Sequence, residues 1–490
     1  MKNISIQLLI TIICVCLTLI LKGCVNEDPV NTPIDNDTPP NATNNCPKEA
    51  KKTDLEEYIV YFTDTTACAS IPTDSTSLVL LAAQLDTPTS NASVMIDTFC
   101  QDRIRYLASL VRDGAIVIRP DCECQNFLIR FKNDRSIDPQ ESITSAKGRL
   151  RHTGGGAIRN VIIDLGPEEN IDDSRVNNGS SLPPDGSLVV GLVDLGLNFS
   201  ETCLEPYFLT SPANATEYET YNSFSCDKQD VLDPLGHGTH LAGIIALPLE
   251  SSQINDPSIS NQSLEDLRIL SVKITEGKKR QADLYSAICG IQYAIDRGAK
   301  ILNLSWGFYK TVKGDSLQIK LGALTKIIRY AKEKNVLVIA AAGNDSTNID
   351  QCHFWPASLS SYNDFDNVVS VAALDSSRSA LAAYSNFGDS TVEFIAPGTK
   401  IQSTNTAISN GFDRLSGTSI AVPFVTKLAA YYYLNILESG PSEDPREPTY
   451  KQIKLRIRRN ANTTSYRTHL GTDVSFKTIP LTPPLDLSCN

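Results

Sequence analysis

The chain has 490 residues, of which 41% are apolar and 20% charged, and it carries a formal net charge of -12. That length leaves room for two or three domains, and the acidic balance excludes a generally basic surface of the kind that holds nucleic acid. With only five histidines there are few candidates for a general base, and no Cys/His spacing matches a zinc site.

At the N-terminus, Met1-Lys2-Asn3 precedes an apolar stretch from Ile4 to Leu21, the pattern of an export signal. The stretch ends Leu19-Ile20-Leu21-Lys22-Gly23-Cys24. This resembles the lipobox of bacterial lipoproteins, with residues 1–23 as the signal and Cys24 as the acylated residue, although Lys22 departs from that motif. A lipid on Cys24 would anchor the exported chain to a membrane of the cell envelope; the competing readings are a plain cleaved signal and an uncleaved anchor of marginal length. Residues 24–51 are rich in Asn, Asp, Thr and Pro, a composition that predicts a disordered tether.

From 52 to 168 the pattern predicts a small α/β domain. Its strands are expected at Glu57–Phe62, Ala115–Ile118 and Phe127–Phe131, with a helix from Ala92 to Arg112. A polar linker, 169–186, separates it from Ser187-Leu188-Val189-Val190-Gly191-Leu192-Val193-Asp194, a strand buried on both faces that ends in a carboxylate. Gly236-His237-Gly238-Thr239-His240 then opens a small, apolar helix. Glycines flanking His237 permit close approach to the imidazole. Next come a strand from Leu267 to Ile274, a helix from Ala282 to Arg297, and the strand Ala299 to Gly307 containing Ser305, Trp306 and Gly307. A buried strand from Val336 to Gly343 precedes Asn344, and Ser416-Gly417-Thr418-Ser419 starts a long apolar helix. Taken singly these are a strand-end Asp, a helix-start His, an Asn in a turn and a helix-capping Ser, all ordinary structural features. Taken together they supply an acid, a base, an oxyanion donor and a nucleophile.

The order Asp194, His237, Asn344, Ser419, each in a matching local context, resembles the catalytic domain of the subtilisin-like serine proteases, whose acid, base and nucleophile follow one another in that order. The resemblance implies an α/β chain: a subtilisin-like three-layer fold with a central, mostly parallel sheet over 187–460, preceded by the small α/β domain and followed by a tail, 461–490. It implies a serine endopeptidase acting on protein or peptide substrates, with Asp194 orienting His237, Asn344 holding the oxyanion, Ser305, Trp306 and Gly307 presenting backbone to the substrate, and Gly343 on the opposite pocket wall. The rival is a non-catalytic surface protein that binds through a protease-like domain. Residues 52–168 stand where such proteases carry a propeptide, and an accessory domain is the alternative. A cut between Glu168 and Gly186 would separate a lipid on Cys24 from the protease, so anchoring and maturation conflict unless the two halves stay associated.

Three details differ from the family pattern. Leu195 stands where a small hydroxyl residue is common, so the hydrogen bonding around Asp194 is expected to differ. Ile420 replaces a methionine beside the nucleophile, which removes a site of sulfoxide formation. Residues 248–256 lack the usual calcium-loop pattern, so no cofactor is expected and calcium has no support in the residues. Asp345 at the pocket rim points weakly to basic substrate side chains. Of the cysteines, Cys203 and Cys226 are the preferred disulfide pair, and Cys289, within a helix, reads as a buried free thiol. The residues do not address oligomeric state.

Overall fold

A computed structural model describes residues 46–48, 57–62, 75–85, 98–119, 126–131, 139–147, 155–164, 187–200, 203–210, 218–228, 230–249, 253–259, 263–310, 317–405, 411–439, 447–468 and 473–481. The expected signal, Cys24, the expected tether apart from residues 46–48, and the 169–186 linker lie outside these.

The small domain is an antiparallel sheet in the order β2-β3-β1-β4, formed by β1 (Glu57–Phe62), β2 (Ala115–Arg119), β3 (Phe127–Phe131) and β4 (Gly155–Arg159), with helices α1 (Ser75–Leu85), α2 (Thr98–Arg112) and α3 (Pro139–Ala146). The apolar run of β1 does not alternate with polar residues because both its faces are covered. Tyr58 and Val60 pack with Leu78, Ile104 and Leu107 of the domain's own helices, whereas Ile59 and Tyr61 join a core shared with the large domain.

The large domain contributes β6 (Leu188–Asp194), β7 (Thr220–Asn222), β8 (Leu267–Lys273), β10 (Ile301–Leu304), β12 (Leu337–Ala341), β14 (Val368–Leu374) and β15 (Phe394–Pro397). These run parallel. The sheet continues through β18 (Asn462–Arg467) and β19 (Asp473–Thr478), giving the nine-stranded order β18-β19-β15-β14-β12-β10-β6-β8-β7 among the described residues. The expected tail from 461 is therefore corrected: it supplies two strands, with β19 parallel to β15 and β18 antiparallel to β19.

Successive residues of the central strands point to opposite faces. Leu188, Val190 and Leu192 pack toward α4 (His237–Ala246), α7 (Thr418–Ser439) and α8 (Tyr450–Asn460). Val189 and Val193 pack toward α5 (Leu284–Asp296) and α6 (Leu317–Glu333) on the other face. Both faces are covered, as a parallel sheet requires. Strand order reverses between β6 and β10, so a crevice opens beyond their carboxyl ends, where ligands bind in sheets of this kind.

The small domain docks on the α5/α6 face. Its last strand, β5 (Ile162–Asp164), pairs antiparallel with β9 (Gln281–Asp283), Leu284 donates its N–H to the Val161 carbonyl at 3.0 Å, and the Tyr61 ring lies so close to Gly322 that a methyl group there would meet the phenol oxygen at 1.9 Å. A disulfide joins Cys46, ahead of β1, to Cys352 of the large domain. Cys100, Cys203, Cys226 and Cys289 are also disulfide-bonded, so the free-thiol reading of Cys289 is corrected. Helix membership and complete burial are as compatible with a bridge as with a thiol.

Candidate active site

Asp194 ends β6 and is fully buried. Its Oδ1 lies 2.7 Å from His237 Nδ1 and accepts the Leu195 N–H at 2.8 Å. Oδ2 has no hydrogen-bond partner among the described residues. The side chain of Leu195 is wholly buried and brings no hydroxyl, so this residue reaches Asp194 only through its backbone N–H.

His237 is the first residue of α4, behind Gly236 in a left-handed conformation at φ 75°. The close approach expected around His237 is made by backbone at Gly238 and by a side chain at Gly236. A side chain on Gly238 would meet the Gly196 carbonyl oxygen at 2.1 Å, and one on Gly236 would meet the Asn405 amide at 1.9 Å. Burial disfavours the imidazolium, yet the Asp194 carboxylate, its hydrogen bond and the nearby Asp233 together hold the His237 pKa above the ordinary value. Asp233 was not singled out in the sequence. It accepts from the Thr239 N–H at 2.8 Å and the Thr239 hydroxyl at 2.9 Å, satisfying a donor that the helix start leaves open. An acid four residues ahead of the histidine at a helix start was the available signal.

His240, in the same motif, has a different task. Burial pushes its pKa down to about 3, and its Nε2 meets the Ile401 carbonyl at 3.0 Å. Ile401 begins β16 (Ile401–Thr404), which forms a hairpin with β17 (Phe412–Leu415). Ser403 and Thr404 donate their hydroxyls back to the His240 and Thr239 carbonyls, each at 2.8 Å. The hairpin leading to Ser419 is thus stitched to the helix that begins with His237.

Ser419 is the second residue of α7. Asn344 is brought beside it by Thr418, whose N–H and hydroxyl both donate to Asn344 Oδ1, at 2.8 and 2.9 Å. With the carbonyl side of the amide engaged, its NH2 is left to face the site. A methyl group on Gly417 would have Ser419 Oγ at 2.8 Å, Asn344 Nδ2 at 3.5 Å and Ser419 N at 3.6 Å. A hydroxyl and two donors therefore converge on one small volume, an arrangement suited to a tetrahedral oxyanion.

The helix carrying Ser419 contains Pro423, which has no N–H for the Ser419 carbonyl four residues back. Ser305 fills that place: its hydroxyl donates to the Ser419 carbonyl at 2.8 Å and accepts from Asn303 Nδ2 at 3.0 Å. The side chain of Ser305 therefore supports the nucleophile's helix, a role separate from the substrate-pairing one that the family resemblance implies for its backbone. Trp306 is buried, and its indole N–H donates to the Val193 carbonyl at 3.0 Å, fixing β6 one residue before Asp194. Gly307 and Gly343 are both buried. Asp345 is exposed, and its Oδ2 accepts from the Tyr309 hydroxyl at 2.8 Å.

A buried Asp–His pair at the carboxyl edge of a doubly covered parallel sheet, in one domain with a serine at a helix start that has two donors close by, defines the class of subtilisin-like catalytic folds. The family model "Subtilase family" (Peptidase_S8) matches residues 185–472, and the chain belongs to that family. Among its relatives are a thermophilic serine proteinase of Bacillus sp. (strain AK1), 35% identical over 203 residues covering 41% of this chain and 43% of that protein. Subtilisin DY of Bacillus licheniformis is 31% identical over 243 residues, 49% of this chain and 74% of that protein. Thermitase of Thermoactinomyces vulgaris is 33% identical over 195 residues, 40% and 60% of the two chains. The chain spans less than half of the first two curated relatives it matches, 43% and 20% of their lengths. A crystal structure of a lanthipeptide protease aligns with a TM-score of 0.47 and 23% identity over 60% of this chain and 85% of that one.

Proposed function

We propose that the chain is an exported serine endopeptidase that hydrolyses peptide bonds in protein or peptide substrates through an acyl-enzyme. His237 takes the proton from Ser419 as its Oγ attacks the scissile carbonyl, and returns it to the leaving amine; Asp194 holds the tautomer and stabilises the imidazolium. Asn344 Nδ2 and the Ser419 N–H receive the oxyanion. The observation that carries this reading is the 2.7 Å Asp194–His237 bond in the same fold as the Ser419, Asn344 and Gly417 cluster. A fluorophosphonate should label the protein at Ser419, and Ser419→Ala should lose the label while keeping its circular dichroism and thermal transition. Labelling that survives the substitution refutes the assignment.

The same reading has the small domain as a propeptide-like partner docked on α5 and α6, and Cys24 as a lipid anchor. These two roles need not conflict, because a cut between Asp164 and Leu188 would leave the halves joined through Cys46–Cys352. Mass spectrometry of membrane-bound material decides this. A protease fragment starting near residue 180 that leaves the membrane fraction only on reduction fits the proposal, and one released without reductant opposes it.

A further inference from the structure

The Phe354 ring lies next to both backbone segments that the family resemblance assigns to opposite walls of the substrate pocket, Ser305–Gly307 and Gly343. A methyl group built on Gly307 would have Phe354 Cε1 at 2.2 Å and Cζ at 2.6 Å, and one built on Gly343 would have the same Cε1 at 3.2 Å. One ring carbon therefore neighbours both backbones, and an added Cβ at either position would come nearer to it than the 3.5–4.0 Å or so that separates carbons in ordinary contact. Glycine at 307 and 343 makes room for this ring.

The ring is also held. Phe354 belongs to β13 (Phe354–Trp355), which pairs with β11 (Phe308–Tyr309) in register Tyr309↔Phe354. Its N–H donates to Ser358 Oγ at 2.8 Å, and it packs edge-on against the Tyr309 ring with centroids 4.9 Å apart. The Tyr309 hydroxyl is fixed in turn, donating to Asp345 Oδ2 at 2.8 Å and accepting from Asn386 Nδ2 at 2.7 Å. Asn386 also donates to the Ala342 carbonyl at 2.8 Å and accepts the Asp345 N–H at 3.0 Å, so the brace ends on the wall that contains Gly343. A substrate side chain entering between the walls would have to displace an aromatic ring whose neighbours are themselves tied down.

Resting on the serine endopeptidase reading above, we propose that Phe354 determines specificity: its ring fills the slot and restricts the residue on the acyl side of the scissile bond to glycine, alanine or serine. Larger aromatic, aliphatic and basic side chains are excluded by volume rather than by charge.

The test is cleavage of a peptide series identical except for Ala, Phe or Lys on the acyl side of the scissile bond, using the full chain and scoring fluorophosphonate uptake at Ser419 in the same samples. The wild type should favour Ala over both others by at least about tenfold in kcat/KM, a difference of the size that one pocket contact confers. Phe354→Ala should raise the Phe-to-Ala ratio by at least about tenfold, and Phe354→Val, a smaller reduction in volume, gives the same direction should the alanine variant fold poorly. Equal cleavage after Phe or Lys by the wild type, or an unchanged ratio in a folded variant, overturns the assignment of Phe354 while labelling at Ser419 persists. No labelling overturns the endopeptidase reading itself.

Discussion

Removing the hydroxyl of Ser305 tests how the nucleophile's helix tolerates a proline in its second turn. The Ser419 carbonyl has lost its normal donor to Pro423 and receives the Ser305 hydroxyl at 2.8 Å instead. Ser305 is only 4% exposed, so Ser305→Ala leaves that carbonyl without its side-chain donor and also deprives Asn303 Nδ2 of its acceptor at 3.0 Å. Leaving one buried group unsatisfied costs about 1–3 kcal/mol, and denaturant unfolding of Ser305→Ala should show a loss in that range. In a Pro423→Ala background the restored N–H at 423 can take the Ser419 carbonyl from within the helix, so the same substitution should cost less. A double-mutant cycle reads the coupling directly, with about 0.5–3 kcal/mol expected for groups sharing one partner. Strict additivity of the two substitutions would refute the compensation argument. Because Ser305→Ala keeps the backbone, kcat should respond through the placement of Ser419 more than KM does.

Three further outcomes follow from the site. Asn344→Ala should lower kcat by about 10²–10³ with little change in KM, the size known for an equivalent donor in subtilisin and carried over here by analogy; an unchanged kcat argues against the amide as oxyanion donor. The base must be neutral to accept a proton, so activity should fall as pH drops through the His237 pKa, which stands above the ordinary 6.5. Asp233→Asn removes one of the carboxylates that hold it up, so the acidic limb of kcat/KM should move to lower pH, and a limb that stays put or moves up contradicts this. The third concerns Lys427, fully buried in α7 and donating to the Leu247 carbonyl. Burial pushes its pKa down to about 7 from 10.5. Between those values the unfolded chain binds the proton that the folded one has released, so this group's contribution to stability rises with pH across the window and is least favourable at and below pH 7. The stability of the wild type relative to Lys427→Met should therefore increase from pH 7 to pH 10 in denaturant titrations, and a difference flat in pH counts against it.

What the residues disclosed beforehand was what local pattern carries. The uninterrupted run Leu188–Val193 ends in Asp194 because a parallel strand covered on both faces is apolar throughout and its polar residue falls at the edge. The Gly-His-Gly and Gly-Thr-Ser segments mark helix starts, and the buried strands before Ser305 and Asn344 place those residues at the same sheet edge. Other features depend on contacts far apart in the chain. Nothing near Ser305 shows that its hydroxyl serves a carbonyl left open by Pro423, and nothing near Phe354 shows that its ring meets Gly307 and Gly343. Asp473 and Ser475 are exposed while Val474 and Phe476 are buried, a period-two pattern short and polar enough to read as tail until β15 supplies its partner. The bonding of Cys289 is not legible in its own surroundings, because a bridge is a fact about two positions.

The Cys46–Cys352 bond also changes what dilution can do. A domain held only by packing leaves at a rate and leaves for good once diluted, whereas one on a short covalent leash rebinds at an effective concentration of order millimolar whatever the concentration of the protein. After a cut between Asp164 and Leu188, occupancy of the α5/α6 face would thus be set by an intramolecular equilibrium, the same in a dense envelope as in a dilute medium. A thiol reductant would be the condition that turns it into an ordinary bimolecular one.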